Sequence, residues 1–239
     1  MKNLHLLCIS LCLLTAASVL VSCGMRGKGD VVSETVVLSP FTGITNSIEA
    51  DISITQAPVQ SVEIIAQENI TENISLEVAD GVWTIEFIKK NVAKHKPINI
   101  NISIPELSSL NISGSGDMST TNTFDSCGTV SLNISGSGNI DASFNSVSKT
   151  YSSISGSGNI TLSGNSPDHD ITISGSGDVH AFPFHTYHSV VSIPGSGNCE
   201  LTAESTLNVN ISGSGNVYYK GNPVITQTIT GSGGVYNSN

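Results

Sequence analysis

Seven copies of the tripeptide Gly-Ser-Gly begin at Gly114, Gly136, Gly156, Gly175, Gly195, Gly213 and Gly231, spaced 18 to 22 residues apart. A period this short accommodates one supersecondary unit per copy. Two residues before each first glycine stands an isoleucine: Ile112, Ile134, Ile154, Ile173, Ile193, Ile211 and Ile229. Two residues before those stand Leu110, Leu132, Ser152, Ile171, Val191, Val209 and Gln227, and after the tripeptide come Met118, Ile140, Ile160, Val179, Cys199, Val217 and Val235. Nearly all are apolar and of similar volume. The unit therefore reads as strand, corner, strand. One unit cannot bury its own apolar face, but three or more stacked units build a continuous core.

The expected fold is all-β: a parallel β-solenoid, of the right-handed β-helix type, with about 18–22 residues per coil. The corner residues are the glycine pairs Gly114 and Gly116, Gly136 and Gly138, Gly156 and Gly158, Gly175 and Gly177, Gly195 and Gly197, Gly213 and Gly215, and Gly231 and Gly233. A repeated tight corner favours residues that accept positive φ and lack a Cβ that would strike the coil above. Asp117, Asn139, Asn159, Asp178, Asn198 and Asn216 follow the second glycine, and stacked corners would align them as an Asn/Asp ladder. The last copy stops almost at the terminus, so an open strand edge is expected there, to be covered by a partner chain or a folded-back segment.

Ahead of the array the apolar residues alternate with period two. Ile48, Ala50, Ile52 and Ile54 share a face, as do Trp83, Ile85 and Phe87, and residues 98–104 alternate almost perfectly. Asp80-Gly81 marks a tight turn between strands. No linker rich in proline or charge separates this part from the array, so one continuous stack is expected.

Only 12% of the chain is charged, its net charge is -10, and Ser, Thr, Asn and Gly fill the places charge usually takes. Such a composition suits strands and turns better than helices. The only basic concentrations are Lys89-Lys90 and the Lys94, His95 and Lys96 region, so nucleic acid is not an expected partner.

The N-terminus carries Lys2, an apolar run from Leu4 to Leu20, and then Val21-Ser22-Cys23-Gly24. This is the pattern of an export signal. Leu20-Val21-Ser22-Cys23 resembles the bacterial lipobox, whose cysteine takes a diacylglycerol through its thiol. Residues 1–22 are the expected lipoprotein signal, Cys23 the lipidation site, residues 23–35 a flexible tether, 36–110 the N-terminal part of the stack and 111–239 the repeat solenoid. Several acyl chains, at about 0.8 kcal/mol per buried CH₂, make an anchor that hardly dissociates. The competing reading is an ordinary secretory signal followed by an incidental cysteine. A spanning helix fits less well, because the run falls short of the ~20 residues required. Gly24 is not the acidic residue of an inner-membrane retention signal, so the expected location is the cell envelope, anchored at the outer membrane.

Several stretches resemble one known family: the lipobox start, Phe41-Thr42-Gly43-Ile44, Asp80-Gly81-Val82-Trp83-Thr84-Ile85, Ile104-Pro105-Glu106-Leu107, and Ile112-Ser113-Gly114-Ser115-Gly116-Asp117. The chain resembles the putative auto-transporter adhesin, head GIN domain family of bacterial surface proteins, frequent in Bacteroidetes. The resemblance covers most of the mature chain and implies a β-helical envelope protein. It brings no catalytic residues.

No catalytic constellation and no cofactor is expected. Phosphate-binding glycine loops open a helix, and no helix follows any Gly-Ser-Gly copy. Calcium-binding repeats need an acid in every turn, whereas only Asp117 and Asp178 of the corner column are acidic. His180, His185 and His188 share one coil, with His169 before them, but no cysteine or close carboxylate completes a metal set. Phe182-Pro183-Phe184 reads as an enlarged corner. Cys199 falls in the inward column and Cys127 in another phase, so no disulfide is expected between them. Tyr218-Tyr219 reads as one tyrosine on each face of a strand.

The leading functional reading is a lipid-anchored, non-catalytic envelope protein that uses its solenoid for adhesion or protein interaction, with self-association through the solenoid ends. The alternative is a glycan-binding module on the polar face. An enzyme acting on polysaccharide is the third reading, and it would need acids clustered in neighbouring coils. Departures from the repeat rule, first the coil from Val179 to Pro194, are where a local site is expected.

Overall fold

The computed structural model describes residues 24–239. Strands make up 58% of the chain and helix 2%, arranged as parallel stacked coils of about six turns. Each coil contributes one strand to each of two columns, and from the coil of residues 109–120 onward a Gly-Ser-Gly corner carries the chain from the first column to the second.

The first column stacks Val82–Ile85, Gly43–Asn46, Ser109–Ile112, Thr129–Ile134 and Lys149–Ile154, then the later parts of the long strands Ile160–Ile173, Val179–Ile193 and Cys199–Ile211, and finally Val224–Ile229. The second stacks Ile98–Ile104, Ala50–Gln56, Met118–Thr120 and Ile140–Asn145, the earlier parts of the long strands, then Val217–Lys220 and Val235–Asn237. Register puts like on like: Ile112 opposite Ile134, Ile134 opposite Ile154, Ile154 opposite Ile173. Both inward columns are buried through the array, until Gln227 and Val235 reach the open end. That burial holds the stack together, since each isoleucine withdrawn from water contributes roughly 1.5–3 kcal/mol.

The stack is continuous, as the missing linker implies, but at its N-terminal end it does not follow chain order. The coil of residues 43–56 is sandwiched between the coil of residues 82–104 and that of residues 109–120. Outside the outermost strand, Ile98–Ile104, lies Ser61–Gln67 in antiparallel pairing, and outside that Val31–Val36, also antiparallel. The stack is thereby capped at one end by antiparallel strands and a single helical turn, Glu68–Thr71.

The tether expected over residues 23–35 is corrected over most of its length. Met25–Arg26 pairs with Val92–Lys94, and Val31–Val36 covers the free edge of Ser61–Gln67. Val31–Val36 is exposed on both faces along nearly its whole length, so it carries no alternation by which sequence could mark it as a strand. Cys23 and the signal of residues 1–22 lie outside the described residues.

Of the two reasons given for glycine at the corners, positive φ is corrected and the missing Cβ stands. None of the fourteen corner glycines has positive φ; among the described glycines that conformation belongs to Gly29, Gly81, Gly164 and Gly221. What the corners require is close approach. A Cβ on Gly138 would lie 2.1 Å from the Gly116 carbonyl oxygen, and one on Gly177 1.9 Å from that of Gly158. Each corner rests directly on the backbone of the one before it.

The Asn/Asp ladder is present. The Asp117 carboxylate accepts the Asn139 backbone N–H at 2.7 Å, and the Asn139 side-chain oxygen accepts that of Asn159 at 2.9 Å. Asn159 accepts from Asp178 at 2.8 Å, Asn198 from Asn216 at 3.0 Å, and Asn216 from Gly234 at 3.0 Å. Asp51 begins the series by accepting from Asp117. Both corner aspartates thus act as rungs.

Candidate functional site

The corner opposite the glycines, where the chain returns from the second column to the first, varies from coil to coil. Its largest departure is in the coil from Val179: Ala181 pairs with Leu201 and His185 with Thr202, so residues 182–184 are looped out against the coil above. This is the enlarged corner expected of Phe182-Pro183-Phe184. Phe184 turns inward and is buried, while Phe182 stays outside with the Lys220 ammonium 4.5 Å from its ring centroid.

Beside this bulge runs a cleft of about 460 Å³, crossing the corners of four coils. Its walls carry Ser146, Asn165, His185, Tyr187 and Glu204, and its floor includes Ser166 and Thr186. Tyr187 is 63% exposed, leaving most of its ring free for contact. The floor is rigid: Thr186 Oγ1 donates to the Thr202 carbonyl at 2.9 Å and lies 2.7 Å from Ser189 Oγ, and Ser166 Oγ donates to the Asp168 carbonyl at 2.9 Å.

The histidines singled out in the sequence do not converge. His180 Nδ1 lies 2.9 Å from Glu200 Oε2, His185 Nδ1 3.6 Å from Glu204 Oε1, and His188 Nδ1 2.9 Å from Thr206 Oγ1. Among the described residues no three His, Cys, Asp or Glu side chains group as metal ligands. His185 alone lines the cleft.

His169 has a different role. Its Nε2 lies 2.9 Å from Ser152 Oγ, the Phe184 ring meets it edge-on at 5.4 Å, and burial holds its pKa down to about 3. Both members of this Ser–His pair are buried, so no substrate reaches the hydroxyl. Sequence reasoning missed the pair, although two signals were available: Ser152 interrupts an apolar column, and His169 shares the phase of Ile171 and Ile173. Cys199 and Cys127 are both buried and free, and burial raises both thiol pKa values. Tyr219 packs on the core, while Tyr218 stacks on Tyr236 at 5.5 Å.

The family match runs from the Phe41 segment past Val217–Lys220, the strand after the sixth Gly-Ser-Gly corner. Residues 40–223 match the family described as Putative auto-transporter adhesin, head GIN domain. The chain belongs to this family. Solved structures similar to it include a putative adhesin from Bacteroides fragilis NCTC 9343 (23% identity, 90% of this chain and 100% of that one, TM-score 0.80). Another is a putative adhesin from Parabacteroides distasonis ATCC 8503 (27% identity, 89% and 99%, TM-score 0.72). A third, a putative lipid binding protein from the same Parabacteroides strain, shows 24% identity over 90% and 99% with a TM-score of 0.72. No curated protein matches the sequence. Within this family fold, the cleft beside residues 182–184 is the place where the repeat rule breaks most widely.

Proposed function

We propose that the protein is a non-catalytic adhesin of the bacterial envelope, anchored through lipid on Cys23, probing its surroundings with the solenoid's variable corner. Membership of the adhesin family over residues 40–223 carries this reading. Support for a binding rather than a chemical role comes from the titratable side chains: His180 with Glu200 and His185 with Glu204 sit on open surface, and the buried pair His169 and Ser152 is sealed in the core. The cleft supports a contact surface because it is concave, joins an exposed ring to several polar groups, and lies directly after the register break at residues 182–184.

A glycan is the second reading, favoured by one observation: the exposed Tyr187 ring stands beside the hydroxyl and amide groups of Ser146 and Asn165. Sugars stack their apolar faces on aromatic rings while neighbouring polar groups take their hydroxyls.

The test compares the wild-type chain with a Tyr187→Ala, His185→Ala variant on an envelope extract and on a glycan array. Retention of one envelope protein that the variant loses supports the protein contact. Glycan binding lost in the variant supports the second reading, and no retention on either surface overturns the cleft as the adhesive face. The anchor is tested separately, by intact mass of the membrane-extracted chain and by release of Cys23→Ala into the soluble fraction.

A further inference from the structure

Setting aside Lys2, the chain has eight basic residues, and six of them, Arg26, Lys28, Lys89, Lys90, Lys94 and Lys96, fall in the two segments around Met25–Arg26 and Val92–Lys94, which pair with each other. The other two are engaged elsewhere: Lys149 with Asp170 at 2.7 Å, and Lys220 over the Phe182 ring. All six are exposed. Among the described residues, Lys96 alone of the six forms an ion pair, at 3.5 Å with the fully exposed Asp30.

The cluster is built rather than incidental. Asn69 donates to the Arg26 carbonyl and accepts the Lys28 N–H, both at 2.8 Å. Gln67, itself buried, donates to the Gly29 carbonyl and accepts the Lys96 N–H, both at 2.9 Å. Asn69 therefore fixes the first basic segment, and Gln67 ties it to the second. Ile88, 65% exposed, stands next to Lys89 over a hollow that Met25 and Glu72 also line.

The chain enters the fold in the middle of this cluster. The Met25 N–H donates to the Asn91 carbonyl at 2.7 Å, between Lys89-Lys90 and Lys94, and in the sequence Gly24 is preceded by Cys23 and, before it, the apolar run from Leu4 to Leu20. A membrane that holds the chain at Cys23 lies one residue from Gly24 and so next to this cluster.

We propose that this end of the solenoid is a membrane-docking collar: Arg26, Lys28, Lys89, Lys90, Lys94 and Lys96 take the phosphates of anionic phospholipids, and Ile88 enters the headgroup layer. This rests on the anchor reading of Cys23. Cations at an anionic surface each strengthen partition about fivefold, and the anchor makes the step intramolecular. The rest of the molecule is acidic, within a net charge of -10, and is repelled by the same surface. Attraction at one end and repelled charge elsewhere stand the solenoid on its capped end. Its open last coil and the cleft then face away from the membrane.

The experiment reconstitutes the full chain, extracted from membranes, into vesicles of phosphatidylethanolamine with or without phosphatidylglycerol, carrying a polarity-sensitive fluorophore on Ile88→Cys. Flotation reports the anchor, and the emission shift reports the collar. The expected result is flotation in both vesicle types, with a blue shift only where phosphatidylglycerol is present, reversed by high salt. A Lys89→Glu, Lys90→Glu, Lys94→Glu variant should float, melt like the parent and lose the shift, whereas a probe on Tyr236→Cys should not respond. Flotation without a lipid-dependent shift, or a shift unchanged by charge reversal or salt, overturns the collar and leaves the anchor standing. A chain that does not float overturns both.

Discussion

Gly158 lies so closely over Gly138 that a Cβ on Gly158 would come within 1.9 Å of the Gly138 carbonyl oxygen. The obstacle is backbone, which cannot rotate away as a side chain would. Gly158→Ala must therefore push two coils apart, breaking hydrogen bonds and core contact along both columns. A loss of about 3 kcal/mol or more is expected in urea unfolding, at the upper end for overpacking. Gly128 has nothing within 4 Å of the equivalent position, so Gly128→Ala is the control and should change stability little.

Asn159 joins three corners, one link through its backbone N–H and one through its side chain. Its own N–H is taken by Asn139, and its side-chain oxygen accepts the Asp178 N–H. In Asn159→Ala the Asp178 donor loses its partner, at a cost of about 1–2 kcal/mol. Asn159→Asp keeps an acceptor, as Asp117 and Asp178 do at equivalent places, and should remain closer to wild type. Amide exchange at Asp178, faster in the alanine variant than in the aspartate one, distinguishes a lost rung from general destabilisation.

The repeat features were legible because each is written locally. The isoleucine column, the corner glycines and the Asn/Asp column recur at fixed offsets, and a parallel stack turns a fixed offset in sequence into a column in space. The N-terminal order was not legible. Gly43–Asn46 pairs with both Val82–Ile85 and Ser109–Ile112, and nothing in the residues between them says that the chain will pass outward and return. The cleft was legible only as a coil, Val179 to Pro194, and not in its lining: the three looped-out residues 182–184 shift the inward phase, so Phe184 could not be read as buried from its neighbours. The glycines were placed correctly for a reason only half right, because the need to avoid a Cβ can be met at ordinary φ.

The last coil leaves an edge that no other strand among the described residues covers. Val224–Ile229 pairs with Cys199–Ile211 on one side only, and Gln227 is exposed although it continues the column of Val209. Gly234 stands where earlier coils have Asn or Asp, so no side-chain acceptor is offered to a further corner. Continued stacking is thus discouraged at the glycine corner, while the strand edge stays open for a second copy. Light scattering of the detergent-solubilised chain is expected to show a dimer, and Gln227→Lys a monomer, since a charge on an edge strand opposes pairing. A monomeric wild type would remove the solenoid end as a self-association surface.

His169 makes the stability of the middle coils depend on pH. It is buried and neutral, with its pKa held down to about 3 by loss of solvent, against an ordinary value of 6.5. Between those values the unfolded chain binds a proton that the folded chain refuses, so stability falls as pH drops. Above 6.5 neither state is charged and the penalty vanishes. From 6.5 downward the slope due to this one residue approaches about 1.4 kcal/mol per pH unit, continuing until the folded pKa is reached. Glu63 acts lower, because Ser33 and Asn101 hydrogen bonds hold its pKa below the ordinary 4.5, so its contribution is lost only as pH falls past that value. The window between pH 6.5 and 4.5 therefore separates the two. His169→Gln, which keeps a polar partner for Ser152 but cannot take the proton, should give a flatter unfolding free energy across that window; an unchanged slope would mean that the folded core accepts the charge.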